Sequence, residues 1–179
     1  MKYEAEYFKE RNHDLEGKHW AEVNQWIAYF GLDKTSKVLI YGCGLGQRVH
    51  CFRQLGIDAV GYEISKYARD NAYGLAKGNI YLSIPPVQFD LIVSVDVLEH
   101  MRDEEINHDI IALNNLCQRA IHGITYKDNH NFPKDKTHIN GKVKEEWRNF
   151  LLKYYDRVYD APLYFLESDM YLICMVMPR

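Results

Sequence analysis

The sequence predicts an α/β fold: a seven-stranded, mostly parallel sheet with an antiparallel last strand and helices on both faces. Three observations predict it. Short apolar runs alternate with stretches of helical periodicity, the pattern of a parallel sheet covered on both sides. The first run, KVLIY, breaks off into glycines at alternate positions, Gly42, Gly44 and Gly46, before helical periodicity resumes. The last two strand-like segments are too close together for a helical crossover, so they pair antiparallel. With 179 residues the chain is long enough for one domain with a real core.

Residues 3–30 read as helix. Tyr7, Trp20, Val23, Trp26, Ile27 and Phe30 fall near helical spacing, Gly31 is a natural stop, and 12–17 is where the helix can break in two. The first strand, 38–41, is wholly apolar, as strands buried on both faces are. A helix over 47–55 ends at Gly56. A strand at 58–62 and a helix at 65–75 follow, then a weaker strand at 78–82. FDLIVSV, 89–95, is the clearest strand of the sequence. The pattern then predicts a helix over 97–117 and a strand over 119–126. Residues 127–141, polar with one proline, read as a loop, and 142–154 as an amphipathic helix. Strands at 156–164 and 169–177 close the chain, joined tightly around Glu167. This divides the chain into a helical segment, 1–36, that packs on or caps a domain spanning 37–179. Trp20, Trp26 and Trp147 are expected in the core.

Composition narrows the function. The chain is 47% hydrophobic and 26% charged, with a net charge of −3. That charge argues against binding nucleic acid through overall electrostatics, and a modest basic excess in 127–157 reads as a solvated face. Four scattered cysteines, Cys43, Cys51, Cys117 and Cys174, form no CxxC pair. They read as reduced thiols of a cytoplasmic protein rather than a disulfide or zinc framework. The N-terminus is too charged for a signal peptide, and no apolar run reaches transmembrane length.

A glycine turn between the first strand and the next helix is a ligand site by geometry. Backbone can approach a ligand there, and the helix N-terminus offers free N–H groups. Glu63 closes the second strand, where a carboxylate typically takes the two hydroxyls of a ribose. Together they suggest an adenosine-containing ligand. The nicotinamide fingerprint G-x-G-x-x-G is not met, because Gln47 stands at the third glycine.

The spacing G-x-G-x-G instead resembles the class I S-adenosylmethionine-dependent methyltransferases, whose sheet is Rossmann-like. FDLIVSVDVLEHM (89–101) is similar to that family's fourth motif in its D-x-x-E-H form, and Asp135 to Ile139, DKTHI, to the D-x-T-H-I stretch after the fifth strand. The closing antiparallel pair is also a family trait, so the resemblance covers about 37 to 179. It implies S-adenosyl-L-methionine as cofactor, with the stretch Tyr41, Gly42, Cys43, Gly44 and Gly46 under its methionine part. Glu63 would hold the ribose and Ile64 lie beside the adenine. Asn79 and Ile80 stand where an Asp-plus-apolar pair often contacts adenine, and Asp96 and Val97 would wall the methyl end. Ile40 departs from the pattern, because the family usually has an acid there to receive the cofactor's ammonium. The Gly42 carbonyl and Asp96 are then expected to take that role.

Methyl transfer from a sulfonium needs an in-line acceptor that is neutral or losing its proton. Candidates for that proton follow the fourth strand. If the chain turns helical at once, Asp96, Glu99 and His100 share a face, with His100 as base and Glu99 orienting it. His138, in the polar loop, is the second candidate, and His130 a weaker one. For each the alternative is structural: His100 packing behind the cofactor, His138 buttressing a loop whose turn Thr137 caps. Glu99, His100 and His138, with Asp96, are also a conceivable ligand set for a metal. Some small-RNA and quinone-ring O-methyltransferases resemble this arrangement, with E-x-x-E-H where this chain has Asp96 first. Tyr3, Tyr7 and Phe8 are either a lid over the cofactor or the stripe of a packing helix.

The [DNS]-P-P-[YFW] motif of amino-methylating DNA enzymes and the Pro-Cys pair of cytosine-C5 enzymes are missing at the relevant places. The expected enzyme methylates an oxygen or nitrogen of a small-molecule or sugar acceptor, without a membrane partner. An RNA-directed, magnesium-assisted methyltransferase and a non-catalytic relative that holds the cofactor are the alternatives.

Overall fold

The computed structural model describes residues 3–11 and 16–177. Its strands are β1 (Lys37–Tyr41), β2 (Asp58–Tyr62), β3 (Ile80–Tyr81), β4 (Leu91–Val95), β5 (Arg119–Gly123), β6 (Arg157–Asp160) and β7 (Tyr171–Met175). Its helices are α1 (Ala5–Arg11), α2 (Glu16–Phe30), α3 (Gln47–Gln54), α4 (Lys66–Asp70), α5 (Asp103–Asn114) and α6 (Lys144–Leu151). The strands make one seven-stranded sheet in the order β3-β2-β1-β4-β5-β7-β6. β1 with β2, β2 with β3 and β4 with β5 pair parallel, while β7 runs antiparallel to both β5 and β6. This is the mostly parallel sheet with an antiparallel last strand that the sequence predicts. Among the described residues no helix is long and apolar enough to cross a membrane.

The chain divides into two compact units, Met1–Asp90 and Leu91–Arg179. In the first, α2 buries Val23, Trp26 and Phe30, and Trp26 stacks on Phe52 of α3 with ring centroids 6.3 Å apart. Gly31 ends α2 with φ 64°, the left-handed stop expected of it. Trp20 is only half-buried and meets His50 edge-on, so of the first unit's tryptophans Trp26 alone is core. The predicted break at 12–17 falls largely on 12–15, outside the described residues. In the second unit β4, β5 and β7 bury almost every residue, and Trp147 of α6 is fully enclosed.

Four predicted elements are clearly shorter than expected, and in the two helices tertiary bonds take backbone groups a longer helix would need. The helix predicted over 65–75 ends at Asp70. Ser65 caps it by accepting the Ala68 N–H, but the Tyr73 N–H donates to the Leu45 carbonyl and the Leu75 N–H to His50 Nδ1. The helix predicted over 97–117 begins at Asp103. Before it the chain makes only a 3-10 turn, Leu98–His100, because the Glu99 carbonyl accepts the Ile139 and Asn140 N–H groups at 3.0 Å each. The Met101 carbonyl likewise accepts from the Asn140 side-chain amide. The closing strands, predicted over 156–164 and 169–177, are shorter too. The tight joint around Glu167 is instead a loop over 161–170, with Glu167 at φ 53° and a 3-10 turn at Ser168–Met170.

Candidate active site

In the first unit the glycine turn is held at the carboxyl ends of β1 and β2. Gly42, Gly44 and Gly46 all have positive φ, at 69°, 55° and 81°, conformations that side-chain-bearing residues rarely adopt. The Gly42 and Cys43 N–H groups both donate to the Tyr62 carbonyl, at 2.9 and 3.1 Å. Glu63, only 7% exposed, accepts the Gly44 N–H on Oε2 at 3.0 Å and the Ser65 N–H on Oε1 at 2.9 Å. The acid that closes β2 therefore holds the turn in shape. Among the described residues no side chain caps α3, whose N-terminus opens at Gly46.

The glycines differ in what surrounds them. A Cβ on Gly46 would stand 2.5 Å from the Ala76 Cβ and 2.9 Å from the Ile80 Cδ1, so Gly46 is required by internal packing. Among the described residues a Cβ on Gly44 would meet only the Phe8 ring, at 3.7 Å. Phe8 is buried and stacks on Tyr67, and the Ser65 hydroxyl donates to the Tyr3 carbonyl at 2.6 Å. The aromatic end of α1 thus reaches the glycine turn. Tyr41 is buried against Tyr62, and Ile64 stands 59% exposed. The Asn79 amide donates to the Leu75 and Lys77 carbonyls, and Ile80 is buried. Cys43 packs on Gly61; burial, then the Glu63 carboxylate, pushes its thiol well above the usual range. Ile40 is buried, opposite Gly61 in the strand pair.

In the second unit Asp96, Glu99, His100 and His138 come together by a route other than the expected helical face. Asp96 has φ 54°, and its carboxylate accepts the Thr125 hydroxyl at 3.0 Å. Val97 is half-buried at the start of the 3-10 turn. Glu99 is 0% exposed. Its Oε1 accepts the Thr125 N–H at 2.8 Å, and among the described residues its Oε2 accepts no hydrogen bond. Burial, then the nearby Asp96 carboxylate, raises the Glu99 carboxyl well above the ordinary range. The His100 Nδ1 is 2.9 Å from the Thr137 hydroxyl, so the orienting partner the structure supplies is Thr137. Burial, then His138, lowers the His100 pKa. His138 Nδ1 is 2.8 Å from the Phe132 carbonyl, and the two imidazoles lie 4.7 Å apart between centroids. His130 is exposed in the same loop.

Sequence reasoning missed Thr125, which anchors Glu99 through its N–H and Asp96 through its hydroxyl. No local pattern marks it, because its partners lie 26 and 29 positions away. The turn that the sequence assigns Thr137 to cap is capped by Asp135 instead, whose Oδ1 accepts the Thr137 N–H two residues on at 2.8 Å, an Asx turn.

A family profile described as a methyltransferase domain matches residues 11–118. The chain belongs to that methyltransferase family. It is a class I S-adenosylmethionine-dependent methyltransferase, and S-adenosylmethionine is its methyl donor. No curated protein matches the sequence. Among solved structures, this methyltransferase is similar to magnesium protoporphyrin IX methyltransferase from Synechocystis with bound S-adenosylmethionine. That match has TM-score 0.65 and 19% identity, over 98% of this chain and 93% of that one. A TehB-like S-adenosylmethionine-dependent methyltransferase from Corynebacterium glutamicum matches with TM-score 0.65 and 16% identity, over 96% and 97%. One from Clostridium acetobutylicum matches with TM-score 0.69 and 12% identity, over 96% of each chain. At these identities the likeness is one of fold, and the methyltransferase's site rests on its own residues.

Proposed function

We propose that this methyltransferase moves the methyl group of S-adenosylmethionine to an oxygen or nitrogen of a small-molecule or sugar acceptor. The observation that carries the reading is the glycine turn with Glu63 beneath it. Side-chain-free backbone is held in left-handed conformations, and a buried carboxylate sits where ribose hydroxyls are received. In the first unit Gly42 to Gly46 take the methionine part of the cofactor, Glu63 the ribose, and Ile64, Asn79 and Ile80 the adenine. The aromatic end of α1 caps that share of the site, within the helical segment 1–36. In the second unit the cluster of Glu99, His100 and His138 disposes of the acceptor's proton.

Small acceptors are favoured because the net charge of −3 offers no electrostatic grip on a polyanion. The fold also matches, over nearly its whole length, that of a porphyrin methyltransferase. Four free cysteines fit a reducing, cytoplasmic setting.

The test is transfer of labelled methyl from S-adenosylmethionine to pools of hydroxyl- and amine-bearing small molecules and sugars. Label is expected in a low-molecular-weight product. Label moving only into RNA would replace the acceptor assignment. Tight cofactor binding with no transfer to any pool would make the protein a binding relative.

A further inference from the structure

We propose that the loop over 161–170 receives the body of the methyl acceptor, and that this body is apolar and carries no negative charge. The acceptor is then an aromatic or aliphatic phenol, alcohol or amine rather than a sugar. This deepens the proposed methyl transfer and rests on it. The transfer itself keeps its balance: the bond from sulfur to the methyl carbon breaks, the acceptor's oxygen or nitrogen forms the new bond, and its proton leaves to the cluster.

Large apolar side chains gather in this loop and face solvent. Leu163 is 95% exposed, Tyr164 68% and Leu166 38%. Elsewhere in the described part of the second unit such residues come singly, as they do on ordinary surfaces. The exposure follows from how the loop is fixed. The Phe165 N–H donates to the Pro162 carbonyl at 2.9 Å, and Phe165 is buried. Leu163 and Tyr164 are therefore the two central residues of a turn whose far end is anchored. An apolar cluster held outward in this way marks a place where a ligand removes it from water.

Position identifies the ligand. Tyr171, where the loop enters β7, pairs with Gly123 at the end of β5. The Ile124 N–H and the Tyr126 hydroxyl both donate to the Met170 carbonyl, at 3.0 Å each. Between those two donors stands Thr125, which holds Glu99 and Asp96. The loop is thus continuous, within one unit, with the cluster assigned the acceptor's proton. A groove of about 430 Å³ opens against it, lined by Leu163, Asp169 and the start of α6. Small-molecule sites measure roughly 300–1,000 Å³. Charge narrows the occupant further. Both cations of the groove are already taken: Lys144 Nζ is 2.7 Å from Asp160, and Arg148 pairs with Asp160 at 2.8 Å and Glu145 at 3.2 Å. Asp169 makes no ion pair among the described residues, so the groove keeps a net negative charge and repels an anion.

The test uses the whole chain and two fluorescent probes with the same apolar body, uncharged N-phenyl-1-naphthylamine and its anionic counterpart 8-anilino-1-naphthalenesulfonate. The uncharged probe is expected to bind one site per chain, and the sulfonate to bind about threefold or more weakly. Leu163→Ser and Tyr164→Ser should each weaken the uncharged probe about fivefold or more. Ile111→Ser, at an exposed position of α5, should leave it unchanged. Should Tyr164→Ser fail to fold by circular dichroism, Leu163→Ser decides. No saturable binding by the wild type, unchanged affinity in the loop variants, or equal affinity for the two probes overturns the proposal. So does label from S-adenosylmethionine that enters only the sugar pool. A dimer in sedimentation that Leu163→Ser splits, or binding to phosphatidylcholine vesicles that it abolishes, also overturns it, because the loop then serves a second copy or a membrane. S-adenosylhomocysteine titrated on the same samples separates the two readings. A chain that binds the nucleoside but not the uncharged probe keeps its proposed methyl transfer and loses this acceptor class. One that binds the probe at the loop but not the nucleoside loses the proposed transfer and the acceptor with it.

Discussion

Glu63 does two jobs with one carboxylate. It accepts two backbone N–H groups, one from the glycine turn and one from the start of α4, and it is the proposed partner of the ribose. Glu63→Ala is therefore expected to weaken S-adenosylhomocysteine binding and to lower folding stability, each by about 1–3 kcal/mol, the effect of leaving buried donors without an acceptor. Calorimetry and urea unfolding read the two effects separately. An unchanged affinity removes the ribose assignment even if stability falls. The neighbouring Ile40 shows the limit of reading by residue type. Its side chain is buried opposite Gly61, so it takes no part in binding an ammonium, and the resemblance alone does not say what replaces it.

At the scale of the element, the glycine turn separates packing from ligand approach. Gly46 is walled by Ala76 and Ile80 and has φ 81°. Gly46→Ala is expected to destabilise the protein by about 2–4 kcal/mol through left-handed strain and overpacking together. Gly44 has the strain without the crowding, since among the described residues only the Phe8 ring is near. Gly44→Ala should cost about 1–2 kcal/mol of stability and still abolish most cofactor binding. Urea midpoints for both variants beside nucleoside titrations check this; if Gly44→Ala binds as the wild type does, no ligand approaches the turn there. Element boundaries follow the same logic. Periodicity marks 97–117 as helical, but Glu99 turns inward to Thr125 and its carbonyl serves another loop, so the helix waits for Asp103. There the Arg102 N–H donates to Glu105 Oε2 at 2.7 Å and three acids complement the helix dipole.

At the scale of the whole molecule, each unit encloses a histidine held neutral by burial. His122 sits in β5 with Ser94 Oγ at 2.7 Å from Nδ1 and the Tyr155 hydroxyl at 3.0 Å from Nε2. Burial lowers its pKa from 6.5 to about 4. His19 in the first unit is lowered to about 4, by burial and then by Arg48. The unfolded chain takes up these protons near pH 6.5 and the folded chain only near pH 4. Stability is therefore full above pH 6.5 and falls as the pH drops from 6.5 to about 4. For His122 the loss reaches about 3 kcal/mol, because each tenfold difference in proton affinity between the folded and unfolded chain is worth about 1.4 kcal/mol. Thermal melts between pH 7 and pH 4 should show that slope in the wild type and a shallower one in His122→Asn. Equal slopes would mean that burial of His122 does not govern acid stability.

The sequence by itself determined the fold class, all seven strands in order, the glycine turn and the acid that closes the second strand. Each of these is encoded locally, in apolar periodicity, in glycines that permit positive φ, and in residues a few positions apart. Only the tertiary structure decided where α4 and α5 begin and end, that Thr137 rather than Glu99 meets His100, and that Thr125 anchors Glu99. Those outcomes depend on which distant N–H and carbonyl groups find one another once the chain is compact. A buried or part-buried hydrogen bond between residues 26 or 37 positions apart outweighs the weak preference of a few residues for one more helical turn.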